Sequence, residues 1–262
     1  MPWRGEIEDD EGCPTPTAHK RLEEAHRLWH ECLDAYQDPS GFRTYLNACI
    51  QALRNVTWVL QKEKRLIDGF GEWYPAWQTR MKHDEVMRWV VRSRNRLVKE
   101  GDLETESRAI ARVIMSYQDA AAEVEEGLGR SRGTAGPEPE GSQTVKEISA
   151  PPRYSLGDIL RMVARQPIPR RVLRQSTLTI ERHWVERSLP QLELLAALSH
   201  AYGVLQRLVN DAHDRIGRPQ GVVISHQNGI VIDPRDLHEG RLPCMVTSRR
   251  RRTAAISLVS CV

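Results

Sequence analysis

Several of the features that usually announce a function are missing from this 262-residue chain. No apolar run approaches the roughly 18 residues that a membrane-crossing helix needs, so no membrane partner is expected. The five cysteines (Cys13, Cys32, Cys49, Cys244, Cys261) are scattered, with no CxxC pair among them. A dispersed, odd set reads as reduced thiols in a cytoplasmic protein rather than a disulfide frame or zinc ribbon. The opening MPWRGEIEDDEG is acidic and lacks an apolar core, unlike a secretory signal. No GxxxxGK[ST], GxGxxG or GxSxG string occurs, which argues against an NTPase, a dinucleotide enzyme or a serine hydrolase. No cofactor is expected, and no repeat of fixed period is present.

What is present suits a globular protein: 40% of residues are apolar and the net charge is only +3. That charge is unevenly spread. Residues 235–262 hold six arginines against Asp236 and Glu239, and Arg161, Arg165, Arg170, Arg171 and Arg174 cluster with no acid among them. The basic residues are mostly arginine, 32 against 6 lysines, a bias that genome composition alone can produce.

Helical periodicity dominates the first half. Thr15 before Pro16 suits a helix start. Leu22, Ala25, Trp29, Cys32, Leu33 and Tyr36 then recur on one face. After the Asp38-Pro39-Ser40-Gly41 turn, Phe42, Tyr45, Leu46, Cys49, Leu53, Val56 and Leu60 give the cleanest stripe. A third helical region carries Trp73, Trp77 and Met81 from near Pro75. It restarts at Asp84 with Met87, Val90, Val91, Leu97 and Val98, which sets Arg94 on or beside the buried stripe. A fourth helix is expected after Asp102, with Ile110, Val113, Ile114, Tyr117, Ala121, Val124 and Leu128 on one face and acids in its first turn.

Residues 129–153 are rich in Gly, Pro, Ser and Glu and read as a flexible linker. Beyond it a short helix is expected from Ser155 to about Arg165, stopped by Pro167 and Pro169. Ser188-Leu189-Pro190-Gln191 looks like a capping box opening a long helix that runs to Gly217. GVVISHQNGIVID reads as a hairpin around Asn228-Gly229, and TAAISLVS as a last extended segment.

The string Arg94-Asn95-Arg96-Leu97-Val98-Lys99, with FRTYLNACIQALRNVTWVLQ and the EWYPAWQ and MRWVV stretches, resembles the HEPN superfamily over residues 17–128. Members are antiparallel helical bundles, often dimeric, and many are metal-independent RNases of toxin–antitoxin and antiviral defence systems. Their motif is Arg, a polar residue, a few variable positions, then His. Arg94 and Asn95 match, but Lys99 stands where the histidine would be. In the family the histidine moves protons at the RNA 2′-oxygen or leaving oxygen, and the arginine stabilises phosphate charge. A lysine of ordinary pKa near ~10.4 can act only as an electrostatic clamp.

The expected architecture is therefore mainly α. It comprises an N-terminal tail (1–16), a HEPN-like antiparallel bundle (17–128), a linker (129–153) and a C-terminal helical region ending in a small β-hairpin and a basic tail (154–262). The expected function is binding or interaction, as a homodimer or with a partner protein, touching RNA or a nucleotide without efficient RNase turnover. The alternative is an active metal-independent endoribonuclease using Arg94, Asn95 and Lys99 at a dimer interface.

Other candidates are weaker. Arg207 to His213 repeats an Arg-to-His spacing on the long C-terminal helix, and Arg21 to His26 does so more loosely; solvated helix faces explain both. His26 and His30, four apart with Glu23 nearby, have a metal-ligand spacing, but without HExxH no metal is expected. The tetrad Arg249-Arg250-Arg251-Arg252 is a candidate phosphate contact, without interleaved aromatics for base stacking.

Overall fold

A computed structural model describes residues 15–116, 143–151, 153–217, 224–225, 231–232 and 253–257. Its helices are α1 (Pro16–Asp34), α2 (Pro39–Lys62), α3 (Phe70–His83), α4 (Glu85–Lys99), α5 (Leu156–Ala164), α6 (Arg170–Gln175) and α7 (Leu194–Arg215). Its strands are β1 (Thr105–Ser116), β2 (Gln143–Ala150), β3 (Thr177–Glu186), β4 (Ile224–Ser225), β5 (Val231–Ile232) and β6 (Thr253–Ser257). The chain divides into two compact units. The first comprises 1–36, 40–106 and 184–248, and the second 37–39, 107–183 and 249–262.

The first unit is helical. Contacts between α1 and α7 pair Tyr36 with Glu193, Trp29 with Leu195, His26 with Tyr202 and Thr15 with His213. One index rises as the other falls, so the two helices run antiparallel. Antiparallel order also relates α1 to α2, through Thr17 with Glu63, Ala25 with Cys49 and Tyr36 with Phe42. Five tryptophans, Trp29, Trp73, Trp77, Trp89 and Trp184, lie in this unit's core. A buried indole N–H without an acceptor is costly, and each of the five has one. Trp29 donates to the Leu195 carbonyl (3.0 Å), Trp184 to the Tyr36 carbonyl (2.9 Å) and Trp89 to Glu186 (3.1 Å). Trp73 and Trp77 both donate to Asp211 Oδ2, at 2.7 and 2.6 Å. Every one of these bonds joins segments about a hundred or more residues apart, so the indoles set the long-range register of the bundle.

The second unit is a sheet of order β2-β1-β3-β6. β1 and β2 pair antiparallel from Ala109 opposite Ala150 to Ser116 opposite Gln143, and β3 pairs antiparallel with β6 from Thr177 opposite Ser257. Ala109, Ala111, Val113 and Met115 of β1 share a core with Ile159 and Val163 of α5, Val172 and Leu173 of α6, and Leu178 and Ile180 of β3. Both short helices thus cover the same face of the sheet. Arg182 points inward where a hydrophobe would be expected and is fully buried. Its guanidinium donates to Gln37 Oε1 (3.2 Å), Ser107 Oγ (2.9 Å) and the Tyr154 carbonyl.

The expectation of a mainly α chain, with a contiguous bundle and a hairpin at its end, is therefore corrected to a mixed α/β protein. The error begins at 105–116, expected as a helix and found as β1. Ile110, Val113 and Ile114 satisfy a helical stripe, but burial alternates from Ser107 through Met115, the period of a strand. The helix that completes the bundle is α7, some hundred residues further on. Of the expected linker, 143–150 form β2, and 129–142 lie outside the described residues. The start of α7 also differs. Its N-cap is Glu193, whose carboxylate accepts from the Ala196 N–H (3.1 Å), and Ser188 instead hydrogen-bonds Glu186. Gly217 ends it with φ 72°, a left-handed conformation that glycine adopts without strain. The β4–β5 pairing places Ile224 opposite Ile232, while Asn228-Gly229 lies outside the described residues.

Candidate functional site: a basic groove on the helical unit

The helix α4 starts because Asp84 caps it, accepting from the Met87 N–H at 2.9 Å. Asp84 also meets His200 Nε2 at 2.6 Å. Burial opposes ionisation of this carboxyl, but hydrogen bonds from His200 and the Met87 N–H prevail and hold its pKa below the usual range. Val86, Met87, Trp89, Val90 and Ser93 turn inward. Their opposites, Arg88, Arg92, Asn95 and Lys99, follow at i, i+4, i+7 and i+11 and are all exposed. At about 100° per residue they fall within roughly 60° of one another, a single stripe.

Beside this stripe lies a half-open groove of about 430 Å³ between α2, α3 and α4. Its floor is apolar, built from the buried Leu53, Met87 and Val90 with Met81 and the exposed Val91 beside them, and its rim carries Arg54, Lys82, Arg88 and Arg92. Arg54 Nη1 is held by Thr57 Oγ1 at 2.6 Å. The Tyr74 hydroxyl opens on the same groove. Burial raises its pKa, with Arg54 and the hydrogen bonds of Thr57 and Gln61 opposing in part, so it stays a neutral phenol.

Some cations of this unit are matched by carboxylates and others are not. Arg96 meets Glu104 at 2.6 Å and lies 3.9 Å from both Glu100 and Glu186; Arg43 pairs with Asp102 at 3.0 Å, and Arg187 with Glu104 at 3.4 Å. By contrast Arg54, Lys82, Arg88, Arg92, Arg94 and Lys99 form no ion pair among the described residues. No Asp, Glu, His or Cys lines the groove. Four cations gathered without a counter-charge create a positive field suited to an anion.

Arg94, Asn95 and Lys99 do not form one constellation within a chain. Arg94 is half-exposed and its Nη1 is 3.4 Å from Asn95 Oδ1. Lys99 lies about 140° around the helix from Arg94 and about 7.5 Å along it, and so belongs with Arg88 and Arg92 instead. Arg207 and His213 separate as well: Arg207 is exposed, whereas His213 is fully buried, 2.8 Å from Thr15 Oγ1 and stacked on His19. The Asp211 between them holds the two indoles. The Nε2 atoms of His26 and His30 are 3.1 Å apart, and among the described residues no three metal-ligating side chains gather. Arg249 to Arg252 lie outside the described residues. Arg88 and Arg92, which the sequence reading did not single out, share the one-face spacing of Asn95 and Lys99, and Arg54 and Lys82 join them only through tertiary packing.

The fold and groove define a mixed α/β protein with a cationic, apolar-floored groove on its helical part. Its residues 7–261 match the model of the bacteriophage lambda protein ea47 family, to which the chain belongs. It is 32% identical over 209 residues to "Protein ea47" of Escherichia phage lambda, an alignment covering 77% of this chain and 44% of that protein. The chain thus spans less than half the length of that relative. No solved structure matches. No helix among the described residues is long and apolar enough to cross a membrane.

Proposed function

We propose that this protein binds a phosphate-bearing ligand, an RNA strand or a nucleotide, along α4 and in the adjoining groove, and does so without cleaving it. The observation that carries the reading is the set of cations left without carboxylates around an apolar floor, while neighbouring arginines on the same unit are neutralised. Guanidinium groups grip phosphate oxygens in pairs, and the floor suits a base or ribose. The absence of turnover follows from chemistry. Proton transfer to or from a ribose oxygen needs a group that titrates near neutrality. The groove offers cations and a neutral phenol.

The test is fluorescence anisotropy with a labelled single-stranded RNA, followed by gel analysis of the same RNA in EDTA. Wild type is expected to bind and leave the RNA intact. Arg88→Gln with Arg92→Gln is expected to weaken binding about tenfold or more at low salt, because charge-assisted contacts are lost. Lys99→His is expected to restore no cleavage, since position 99 faces away from Arg94. Cleavage by the wild type that disappears in Arg94→Ala would replace this reading with the endoribonuclease one.

A further inference from the structure

The second unit carries a different accumulation of positive charge. Residues 151–180 contain six arginines, Asp158 as their single acid and no lysine, a local charge of +5 against +3 for the whole chain. The fold places five of those arginines in one layer. Ile159 and Val163 of α5 and Val172 and Leu173 of α6 all enter the core under the same face of the sheet. Leu156, Leu160 and Met162 pack against the same core in part, and the basic positions of the layer are left facing away from it. Arg161, Arg165, Arg170, Arg171 and Arg174 are those positions, and all five are exposed. Arg161 is held by Asp158 at 2.6 Å, while Arg165, Arg170, Arg171 and Arg174 form no ion pair among the described residues.

The other face of the sheet shows the contrast. There Arg112 bridges Glu147 at 2.5 Å and Glu181 at 2.8 Å, and His183 adds to Glu181 at 3.0 Å. One face of this unit is neutralised internally, and the opposite layer is not.

We propose that the outer surface of the α5–α6 layer docks on the phosphodiester backbone of a nucleic-acid duplex. The layer has what a polyanion requires: repeated guanidinium groups on short, firmly anchored helices. α5 is fixed by a reciprocal capping box, Ser155 Oγ accepting from the Asp158 N–H at 3.2 Å and Asp158 Oδ2 accepting from the Ser155 N–H at 3.0 Å. Pro167 and Pro169 stiffen the link to α6. A protein partner fits less well, because the exposed positions of the two helices offer no large apolar anchor around which an interface could form. Neither helix carries an aromatic residue, and Tyr154, beside Arg161 and Arg165 at the start of α5, is a single ring, too little for successive bases of a single strand to stack on. The surface reads charge and geometry, and phosphate contacts carry no base information. It is independent of the groove on the helical unit.

The experiment measures anisotropy of the full chain with labelled DNA and RNA duplexes of two unrelated sequences across a salt series. The proteins are wild type, a variant with Arg165, Arg170, Arg171 and Arg174 each changed to Gln, the same four changed to Lys, and Arg88→Gln with Arg92→Gln. Wild type is expected to bind all the duplexes, with the sequence of each making no difference. The four-Gln variant is expected to lose about 3 to 4 from the slope of log affinity against log salt, equivalent to roughly a hundredfold change in affinity over a fourfold change in salt. The four-Lys variant is expected to keep the slope, which a purely structural role for these arginines would not predict. The groove variant is expected to keep it too, so failure here leaves the RNA reading standing and the converse. The proposal is overturned if wild type binds no duplex, if the four-Gln slope equals the wild-type slope, if the four-Lys variant loses it, or if poly-glutamate competes as well as duplex does.

Discussion

The two units solve the problem of burying polar atoms in opposite ways. The helical unit spreads the task over five indoles, each donating across a long sequence separation to a carboxylate or carbonyl. The sheet unit concentrates it in Arg182, whose one guanidinium joins the 37–39 segment, the start of β1 and the chain entering α5. The cores differ to match. The helical unit packs large aromatics, whereas the sheet unit, among the described residues, has no aromatic in its core and leans on Ala109, Ala111 and Ala150. A dispersed network tolerates the loss of one member. A hub does not. The helical unit should therefore degrade gradually under mutation and the sheet unit abruptly.

Arg182→Met is the severest test. It keeps much of the side-chain volume but strands Ser107 Oγ, Gln37 and the Tyr154 carbonyl away from their donor. The expected cost is about 3 kcal/mol. It should appear as lost amide-exchange protection in β1, β2, α5 and β3, while α1, α2 and α7 keep theirs. Equal loss in both units would show that Arg182 is no local hub.

Asp211→Ala is the matching test on the helical side. It removes the acceptor of both Trp73 and Trp77. About 2 kcal/mol is expected in urea denaturation, against about 1 for Trp77→Phe, which removes one donor and leaves Asp211 satisfied by the other. If the two substitutions cost the same, the shared carboxylate is not what joins α3 to α7.

Acid should also act on the helical unit first. Burial, reinforced by the neighbouring His213, lowers the His19 pKa to about 4. Above the ordinary value near 6.5 neither folded nor unfolded chain binds this proton, and stability is unaffected. As pH falls below that value the unfolded chain takes up a proton that the folded chain refuses, so stability declines until about pH 4 and then levels. The slope is at most ~1.4 kcal/mol per pH unit, less in practice because His19 is only partly buried. Denaturation midpoints at pH 7 and 5 check it. His19→Asn should flatten the difference.

The legible parts of this fold were those where one period explains the residues. The stripes of α1 and α2 can be read directly, and Asp84 marks the start of α4. TAAIS is extended as its composition suggests. β1 was ambiguous because Ile110, Val113 and Ile114 fit one helical face, although the strand turns Val113 inward and Ile110 and Ile114 outward, and the buried Ala109 and Ala111 are too small to mark a face. β3 escaped because Arg182 and Glu186 occupy two of its inward positions. Those are the residues whose burial depends on distant partners, invisible to any local pattern. The same holds at the groove. The motif drew attention to Arg94, Asn95 and Lys99, whereas the common property of Arg54, Lys82, Arg88 and Arg92 is the absence of a carboxylate in three dimensions.

The smallest effect expected is at Ser155, and it sharpens the comparison from the other side. Ser155 Oγ accepts from the Asp158 N–H, and Asp158 answers through the Ser155 N–H and hydroxyl. These hydrogen bonds, together with Arg161, pull the Asp158 pKa down to about 2. Ser155→Ala removes one half of this box and should cost about 1 kcal/mol, the usual worth of an N-cap. If the sheet unit is held through Arg182, the loss should stay at the first turn of α5, because the guanidinium still grips the Tyr154 carbonyl immediately before it. Exchange protection should fall at Asp158 and Ile159 but not along β3. The paired variant with Arg182→Met should then cost less than the two added together, since loss of the guanidinium already frees the stretch that the cap holds. Simple additivity would mean that the cap and the guanidinium hold α5 independently, and the picture of a single hub would have to be given up.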